Sequence, residues 1–360
     1  MTRSFDSEVR LLRDDVGARD WVNFAKGVAI VMVTLFHVWL FFGWLGLTSV
    51  PRIKAILELF PIAAFFLIAG MYSGRQSSWT FAELWRRRLL PYVYLYVLWS
   101  VIRFAVAWVL PVVRGDGGVS ARDPLTLLTL FLWPSSSYWF IYALALATLF
   151  AWLGRRLNTY VHLALAGVTS ALFLSGFINL HNTGWNGLGE KYFFFIAGII
   201  FAKQIHRATL RVRPWHVMGL AVVLLAAGLV LIFFRQPVVQ LVAFPATIVA
   251  LALGIGASVY LVRLRPLQFV SNLGSQSFPI YILHLFVVTL ATVLIRPVSD
   301  LPVLHRFGTP LVLVVTVAVI VASVYLSRAA TKLPWLFIAP FAALRRRHRA
   351  APEPQKSEAS

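Results

Sequence analysis

Long apolar runs separated by short polar loops dominate the hydropathy pattern of the chain. A bilayer core about 30 Å thick needs about 20 mainly apolar residues in one helix. Ten segments approach that length, although the fourth and sixth are short and are expected to recruit flanking residues: 22–45, 56–73, 91–111, 138–153, 161–180, 191–202, 215–234, 238–262, 278–295 and 308–327. The pattern predicts an all-α, polytopic bundle of about ten transmembrane helices. A further apolar piece, Leu125 to Trp133, is too short to span, so we expect an interfacial or re-entrant segment.

The same pattern divides the chain into three parts. Residues 1–20 are rich in charge and are expected to form a cytoplasmic N-terminal segment. Because the apolar run that follows is long enough to span a membrane, we do not expect a cleavable signal peptide. Residues 21–327 form the predicted transmembrane domain. Residues 328–360 are a basic tail that becomes rich in Pro, Glu and Ser, and we expect it to be partly disordered.

Composition excludes a soluble globular protein. Of the 360 residues, 59% are hydrophobic and 13% are charged, whereas a soluble domain has about 25% charged residues. The absence of cysteine excludes disulfides, thiolate catalysis and Cys-ligated zinc.

The net charge of +20 would suggest a nucleic-acid partner in a soluble protein. When the predicted spans are threaded through a membrane, however, 23 of the 33 Lys and Arg residues lie on the side of the membrane that holds the N-terminus. Eight lie on the opposite side, and two lie inside spans. This asymmetry is typical of positive charge retained in cytoplasmic loops. We therefore expect both termini in the cytoplasm and no nucleic-acid partner.

Polar residues follow one face of the first predicted helix. Lys26 and His37 are eleven residues apart, which is three turns plus about 20°, so they share a face about 16 Å apart along the axis. Asn23 and Thr34 fall near the same stripe. An ionisable group at membrane depth costs about 2.5–3.5 kcal/mol, so the stripe must face the protein interior or a wet cavity.

Two interpretations of each ionisable residue in the stripe stay open. His37 either makes a hydrogen bond between helices or acts as a general base, since a neutral imidazole accepts a proton from a hydroxyl nucleophile. Lys26 either snorkels to the cytoplasmic interface or pairs with a phosphate or carboxylate.

Arginines at the third predicted span form a second basic feature. Arg86, Arg87 and Arg88 precede the span directly, and they serve either as an ordinary topology signal or as an anion site for phosphates. Arg103 lies well inside the span. A snorkelling role is harder to assign to it than to the other three.

Three further groups carry weaker signals. Tyr281 and His284 share a helix face, either as packing groups or as groups of an active site. Glu190 precedes the sixth span, where it either orients a histidine, binds a sugar hydroxyl or simply carries charge at a helix N-terminus. Tyr138 and Trp139 open the fourth span, where an aromatic belt explains them, although aromatic faces at a polar cavity also stack on sugars.

Other chemistries lack a signature in the sequence. No pair of histidines or carboxylates has metal-ligand spacing, and there is no Gly-rich phosphate loop or nucleophile elbow. We therefore expect no metal. The remaining histidines lie near segment ends, in loops or in the tail, and the sequence assigns them no role: His162, His181, His206, His216, His305 and His348.

The chain resembles the acyltransferase 3 family of bacterial integral-membrane O-acyltransferases over about residues 19–327. Members open with a helix in which a Trp and an acidic residue precede a [RK]-G-[IV]-A-[IV] run and a histidine follows, and the similar stretch here, residues 19–37, reads RDWVNFAKGVAIVMVTLFH. The family's basic-x10-His motif falls on Lys26 and His37. Asn23 stands where members commonly have Asp, and the arginine run lacks the R-x-x-x-R spacing of some members.

Four further motifs resemble the family in the family's order. They are Phe65–Gly70 (FF-x-x-[SA]-G), Arg86–Pro91 (the basic loop before the third helix), Tyr138–Leu144 (WF-x-x-[AL]-L) and Phe278–His284 (IYLLH).

The resemblance implies transfer of an acyl group, expected to be acetyl, from cytoplasmic acyl-CoA to a hydroxyl of an envelope glycan or lipid-linked sugar. It makes His37 the catalytic histidine and places Lys26 at the acyl-CoA end of the site. The arginine run and Arg103 are further candidates for the acyl-CoA phosphates. Glu190 and His284 are candidate orienting groups, and Tyr138, Trp139, Tyr281 and His284 are candidate acceptor-binding groups.

The expected location is the bacterial cytoplasmic (inner) membrane, with proteins of glycan assembly as further expected partners. A transporter or flippase for a glycan or anionic lipid is the alternative, because it would also need many helices and buried basic residues. Against it stands the absence of inverted repeats and of charge pairs along a pathway.

Overall fold

The computed structural model describes residues 16–49, 54–110, 122–134, 136–234 and 238–340, with side chains described from Trp21 onward. In these ranges the chain is helical and contains no strand. Eleven helices have eight residues or more: α1 (Val16–Trp44), α2 (Pro61–Met71), α3 (Leu90–Val109), α4 (Trp139–Leu153), α5 (Thr159–Leu174), α6 (Thr183–Arg211), α7 (Pro214–Phe233), α8 (Val238–Leu261), α9 (Gln268–Ser275), α10 (Ser277–Ile295) and α11 (Gly308–Ala329).

Shorter helical pieces join these helices. A π-helical turn, Trp85–Leu89, leads directly into α3. The other short pieces are Lys54–Leu57, Gly74–Ser78, Phe81–Leu84, Leu125–Leu128, Gly154–Arg156, Arg265–Leu267, Arg296–Val298, Pro302–Arg306, Ala330–Lys332 and Pro334–Leu336.

The architecture is a polytopic helical bundle, as the hydropathy pattern predicts. Eight helical stretches in the described ranges are long and apolar enough to cross a membrane: Trp21–Trp44, Lys54–Met71, Phe81–Val109, Thr183–Arg211, Pro214–Phe233, Val238–Leu261, Ser277–Val298 and Gly308–Lys332. The other two predicted spans correspond to α4 and α5, which have 15 and 16 residues. The protein is therefore a multi-pass membrane protein.

Two predicted spans have wrong bounds. The sixth was expected at 191–202, yet α6 runs from Thr183 to Arg211 because Asn182 caps its start by accepting a hydrogen bond from the Trp185 N–H. The fifth was expected at 161–180, but α5 ends at Leu174 and Gly176 follows with φ +75°. Hydropathy alone misses both ends, since one helix continues through polar residues and the other stops within an apolar run.

Residues 125–133 do not span the bundle. After the short helix Leu125–Leu128, the chain turns against α3 and α4. The hydroxyl of Tyr96 donates to the Leu130 carbonyl at 3.0 Å, and that of Tyr142 donates to the Phe131 carbonyl at 2.5 Å.

Glycines allow the closest helix contacts. A Cβ at Gly27 of α1 would overlap the carbonyl oxygen of Val270, and a Cβ at Gly274 would overlap that of Asn23, so α1 and α9 cross with their backbones in contact. Because α9 leads directly into α10, this crossing fixes the start of α10 against α1. Small residues at such crossings are typical of membrane helix pairs.

Residues 330–340, here called the C-terminal strap, fold back onto α3. The Trp99 indole N–H donates to the Leu336 carbonyl at 2.7 Å, and the Tyr94 hydroxyl donates to that of Trp335 at 3.1 Å. The ring of Phe337 lies 5.9 Å from that of Trp99, and Ala339 is buried. The predicted segments 1–20 and 328–360 lie outside the described residues except for residues 16–20 and 328–340.

Candidate functional site: a histidine pair beside a buried arginine

His37 and His284 meet in the bundle. Nε2 of His284 lies 3.4 Å from Nδ1 of His37, and the two ring centroids are 5.0 Å apart with an edge-on orientation. His284 is fully buried on α10, whereas His37 of α1 is half-buried. The crossing at Gly27 and Gly274 joins α1 to α9, and α9 leads directly into α10, which carries His284.

Backbone carbonyls determine which ring nitrogen carries the proton in each neutral histidine. Nδ1 of His284 lies 2.7 Å from the Tyr281 carbonyl oxygen, and Nδ1 of His37 lies 2.8 Å from that of Val33. A carbonyl oxygen only accepts hydrogen bonds, so each Nδ1 must be protonated. The assignment follows from these contacts. Nε2 of each ring then carries the lone pair, and Nε2 of His284 faces the Nδ1–H of His37.

Arg103 brings a positive charge to the same place. Its side chain is 8% exposed, and on α3 it follows by one turn Trp99, whose ring packs near those of Tyr138 and Phe286. Within the described residues its guanidinium has neither an ion pair nor a hydrogen bond. A buried cation without an anionic partner is costly. The site is therefore suited to a negative charge that arrives with a ligand or develops during a reaction.

Aromatic side chains enclose the pair. The Tyr138 hydroxyl donates to the Ile282 carbonyl at 3.0 Å, and the Tyr281 hydroxyl donates to the Ser137 carbonyl at 3.2 Å, which ties the start of α4 to α10. Phe286 and Tyr138 both pack near Trp99. Tyr138 and Tyr281 thus belong to the wall of the site, and their hydroxyls are already bonded to the backbone.

Lys26 lies on α1 as the stripe predicts, and its side chain is half-buried. In the part of the chain that the structure describes, it has no ion pair. Thr34 is fully buried and its hydroxyl donates a hydrogen bond to the Ile30 carbonyl, so this hydroxyl has its partner within α1.

The arginine run occupies the π-helical turn before α3, where Arg86 and Arg87 are exposed and Arg88 is half-buried. Arg87 pairs with Glu83 at 2.9 Å and lies over the Trp79 ring, while Arg88 donates to the Tyr72 carbonyl at 3.2 Å. Arg86 makes no such contact within the described residues, so its guanidinium can bind an anion from solution.

Glu190 and Trp139 lie apart from the histidines. The Glu190 carboxylate is 3.1 Å from the ammonium of buried Lys191, and no contact among the described residues joins it to His37 or His284. The indole of Trp139 covers Gly187 of α6. The roles predicted for these two residues gain no support from their positions.

The sequence points to both histidines and Arg103 but not to their grouping. It assigns Arg103 to acyl-CoA phosphates, whereas its position beside His284 is far along α3 from the arginine run. The signal that could have suggested the grouping is depth, because His37 and Arg103 both fall in the C-terminal half of the first and third predicted spans. Among the described residues no group of three or more His, Cys, Asp or Glu side chains is arranged to hold a metal ion.

Comparison with known proteins identifies a protein family. A family model described as an acyltransferase domain matches residues 19–328, which include every residue of the site. No curated protein and no solved structure matches the chain.

Proposed function

Because the chain belongs to this acyltransferase family, we propose that it transfers an acyl group, acetyl in the simplest case, from cytoplasmic acyl-CoA to a hydroxyl of an envelope glycan or lipid-linked sugar. The observation that carries the proposal is the 3.4 Å contact between His284 and His37. The contact supplies a general base that is already oriented.

His37 takes the proton of the acceptor hydroxyl. With Nδ1 of His37 protonated, Nε2 holds the lone pair that accepts this proton. His37 then becomes an imidazolium, and its Nδ1–H donates more strongly to Nε2 of His284. His284 acts as a positioning residue, since it orients His37 while the Tyr281 carbonyl fixes its own tautomer.

The deprotonated acceptor oxygen attacks the thioester carbonyl. The C–O bond forms, and the electron pair of the carbonyl moves to its oxygen, whose negative charge is stabilised by Arg103. Collapse of this intermediate breaks the C–S bond and expels the CoA thiolate, which takes the proton from His37. An oriented charge at a developing oxyanion contributes about 10²–10³ in rate.

Basic residues near the N-terminal ends of α1 and α3 can bind the phosphates of the acyl-CoA donor. Lys26 and Arg86 have no ion pair among the described residues, and phosphate groups are their natural counterions. On this proposal the donor enters from the cytoplasm with its phosphates at that end and its thioester toward His37. The acyl group then crosses the membrane while CoA stays on the cytoplasmic side.

The test uses the purified full-length protein in proteoliposomes with acetyl-labelled acetyl-CoA. We expect slow release of labelled acetate and of CoA without an acceptor, and labelled ester with an envelope extract. His37→Ala should abolish both while it leaves expression and membrane insertion unchanged. Flux of a glycan or lipid without thioester cleavage would instead identify a transporter and overturn the proposal.

The acceptor requires a cellular measurement. O-acyl groups on envelope glycans and lipids should be compared between the wild-type strain and a deletion strain complemented with wild-type or His37→Ala protein. An O-acyl group that only the wild-type gene restores identifies the acceptor. Identical O-acyl profiles in all strains would contradict an envelope acceptor.

A further inference from the structure

A cavity of about 270 Å³ lies apart from the histidine pair, at the end of the bundle that carries the arginine run. It is bounded by the turn after α2, the end of α4, the start of α5 and the middle of α6. Its polar lining comes from Ser73, Gln76, Ser77, Arg155, Thr159 and His162. None of these residues takes part in the proposed acyl transfer.

Gln76 is the unusual member of this lining. Its side chain is 2% exposed, and neither its amide oxygen nor its amide nitrogen has a hydrogen-bond partner within the described residues. A buried amide without partners loses its hydrogen bonds to water and gains none in the protein, which costs free energy. A ligand that offers a donor beside an acceptor would satisfy both atoms at once.

Three of the other polar side chains of the cavity, Ser73, Ser77 and His162, already have hydrogen-bond partners in the protein. The Ser77 hydroxyl donates to the Gly74 carbonyl, and His162 is bonded to the Tyr192 hydroxyl at 2.8 Å. Gln76 is therefore the buried side chain whose donor and acceptor can both form hydrogen bonds with a ligand.

The walls and the rim of the cavity define the rest of the ligand. Ile196, Ile199 and Ile200 of α6 form an apolar wall, which suits a flat heteroaromatic ring. At the rim, the Arg155 guanidinium lies 3.6 Å from the centroid of the Trp152 ring. Arg88 donates to the carbonyl of Tyr72, the residue next to Ser73. Two guanidinium groups beside an apolar slot suit phosphates.

We propose that this cavity binds an adenine nucleotide. The base lies on the isoleucine wall, Gln76 bonds the amino group and the adjacent ring nitrogen of adenine, and Arg155 and Arg88 bind the phosphates. Glutamine makes this bidentate contact with adenine because its donor and acceptor match the adenine edge.

An adenine nucleotide has two sources. It is either the nucleotide end of the acyl donor, which rests on the proposed function, or a free nucleotide that regulates the protein. Direct binding of tritiated ADP tests the site itself, so the result does not depend on whether acyl transfer is observed.

The experiment measures saturable ADP binding to the full-length protein in nanodiscs. Gln76→Met keeps the side-chain volume and removes both polar atoms, and Gln204→Met is the matched control because Gln204 is exposed on α6. We expect ADP to bind at least tenfold more weakly to Gln76→Met and unchanged to Gln204→Met. Arg155→Ala is a second variant that leaves the interior intact, and it should also weaken ADP binding at least tenfold.

Thermal unfolding checks the fold of each variant. Gln76→Met should unfold no earlier than wild type without nucleotide, because it removes a buried amide that has no partner among the described residues. Added ADP should raise the unfolding temperature of wild type and not that of Gln76→Met. No saturable ADP binding by wild type, or equal binding by Gln76→Met, would overturn the proposal.

Acetyl-CoA distinguishes the two sources. If the site holds the donor, acetyl-CoA displaces ADP, and Gln76→Met raises the KM for acetyl-CoA at least tenfold without changing the cleavage of S-acetylpantetheine, which lacks the nucleotide. If the nucleotide is free, ADP remains bound at saturating acetyl-CoA. Either result supports the nucleotide site.

Discussion

Nε2 of His284 lies 3.4 Å from Nδ1 of His37, although 247 residues separate the two along the chain. The Tyr281 carbonyl holds the proton on the far nitrogen of His284. His284 can therefore only accept from His37, and this direction leaves the lone pair of His37 on Nε2. The pair resembles a base with its orienting partner, in which the partner is a neutral ring instead of a carboxylate.

Arg103 should matter more for rate than for stability. Arg103→Met removes a buried cation that has no anionic partner among the described residues, so we expect unchanged or higher thermal stability. The kcat should fall about 10²–10³-fold because the oxyanion loses its counter-charge. Circular dichroism melts and initial rates at saturating acetyl-CoA provide both values.

Arg103→Lys is the matched variant, since it keeps the charge and should recover part of the rate. Full activity of Arg103→Met in a folded protein would remove Arg103 from the mechanism.

The crossing of α1 and α9 should tolerate no side chain. Gly27→Ala or Gly274→Ala forces a methyl group into a backbone carbonyl, and we expect a loss of about 1–3 kcal/mol. At Gly219 in α7, no atom of the described residues lies within 4 Å of the position of its Cβ. Gly219→Ala should therefore stabilise the protein slightly, by up to about 1 kcal/mol. Equal melting temperatures for the three variants would contradict this packing.

The C-terminal strap should be held by its hydrogen bonds to α3. Because the chain has no cysteine, Ala339→Cys gives a single thiol at a position that is 2% exposed, and a maleimide should label it slowly. Adding Trp99→Phe removes the bond to Leu336. The loss of about 1 kcal/mol should speed labelling about fivefold.

Thr331→Cys, at an exposed position of the same segment, is the control and should react quickly in both backgrounds. Labelling of Ala339→Cys as fast as Thr331→Cys in the otherwise wild-type chain would show that the strap is not docked.

The periodicity of apolar residues predicts most of the bundle. The expected spans 278–295 and 308–327 agree with α10 and α11 within two residues. The start of α6 could not be found in this way. Asn186, Glu190 and Lys191 lower the hydropathy there, but the Asn182 cap begins the helix before them.

The site was predictable in its residues but not in its geometry. Lys26, His37 and Arg103 stand out in the sequence because an ionisable group at membrane depth costs free energy and is therefore a candidate for a functional role. Which of them meet depends on how α1, α3 and α10 pack, and no local pattern reports that. Gln76 is missed for a related reason, because a single glutamine in a loop becomes unusual only when the fold buries it without a partner.

The most direct test of the central claim is a double-mutant cycle on His37 and His284. Rates of acetyl transfer should be measured for wild type, His37→Ala, His284→Ala and the double variant at equal folded concentration. The account predicts a loss of about 10²–10⁴-fold for His37→Ala, a smaller loss for His284→Ala, and a double variant no slower than His37→Ala, because His284 acts through His37. Additive losses, or a His37→Ala variant that retains the wild-type rate, would contradict it.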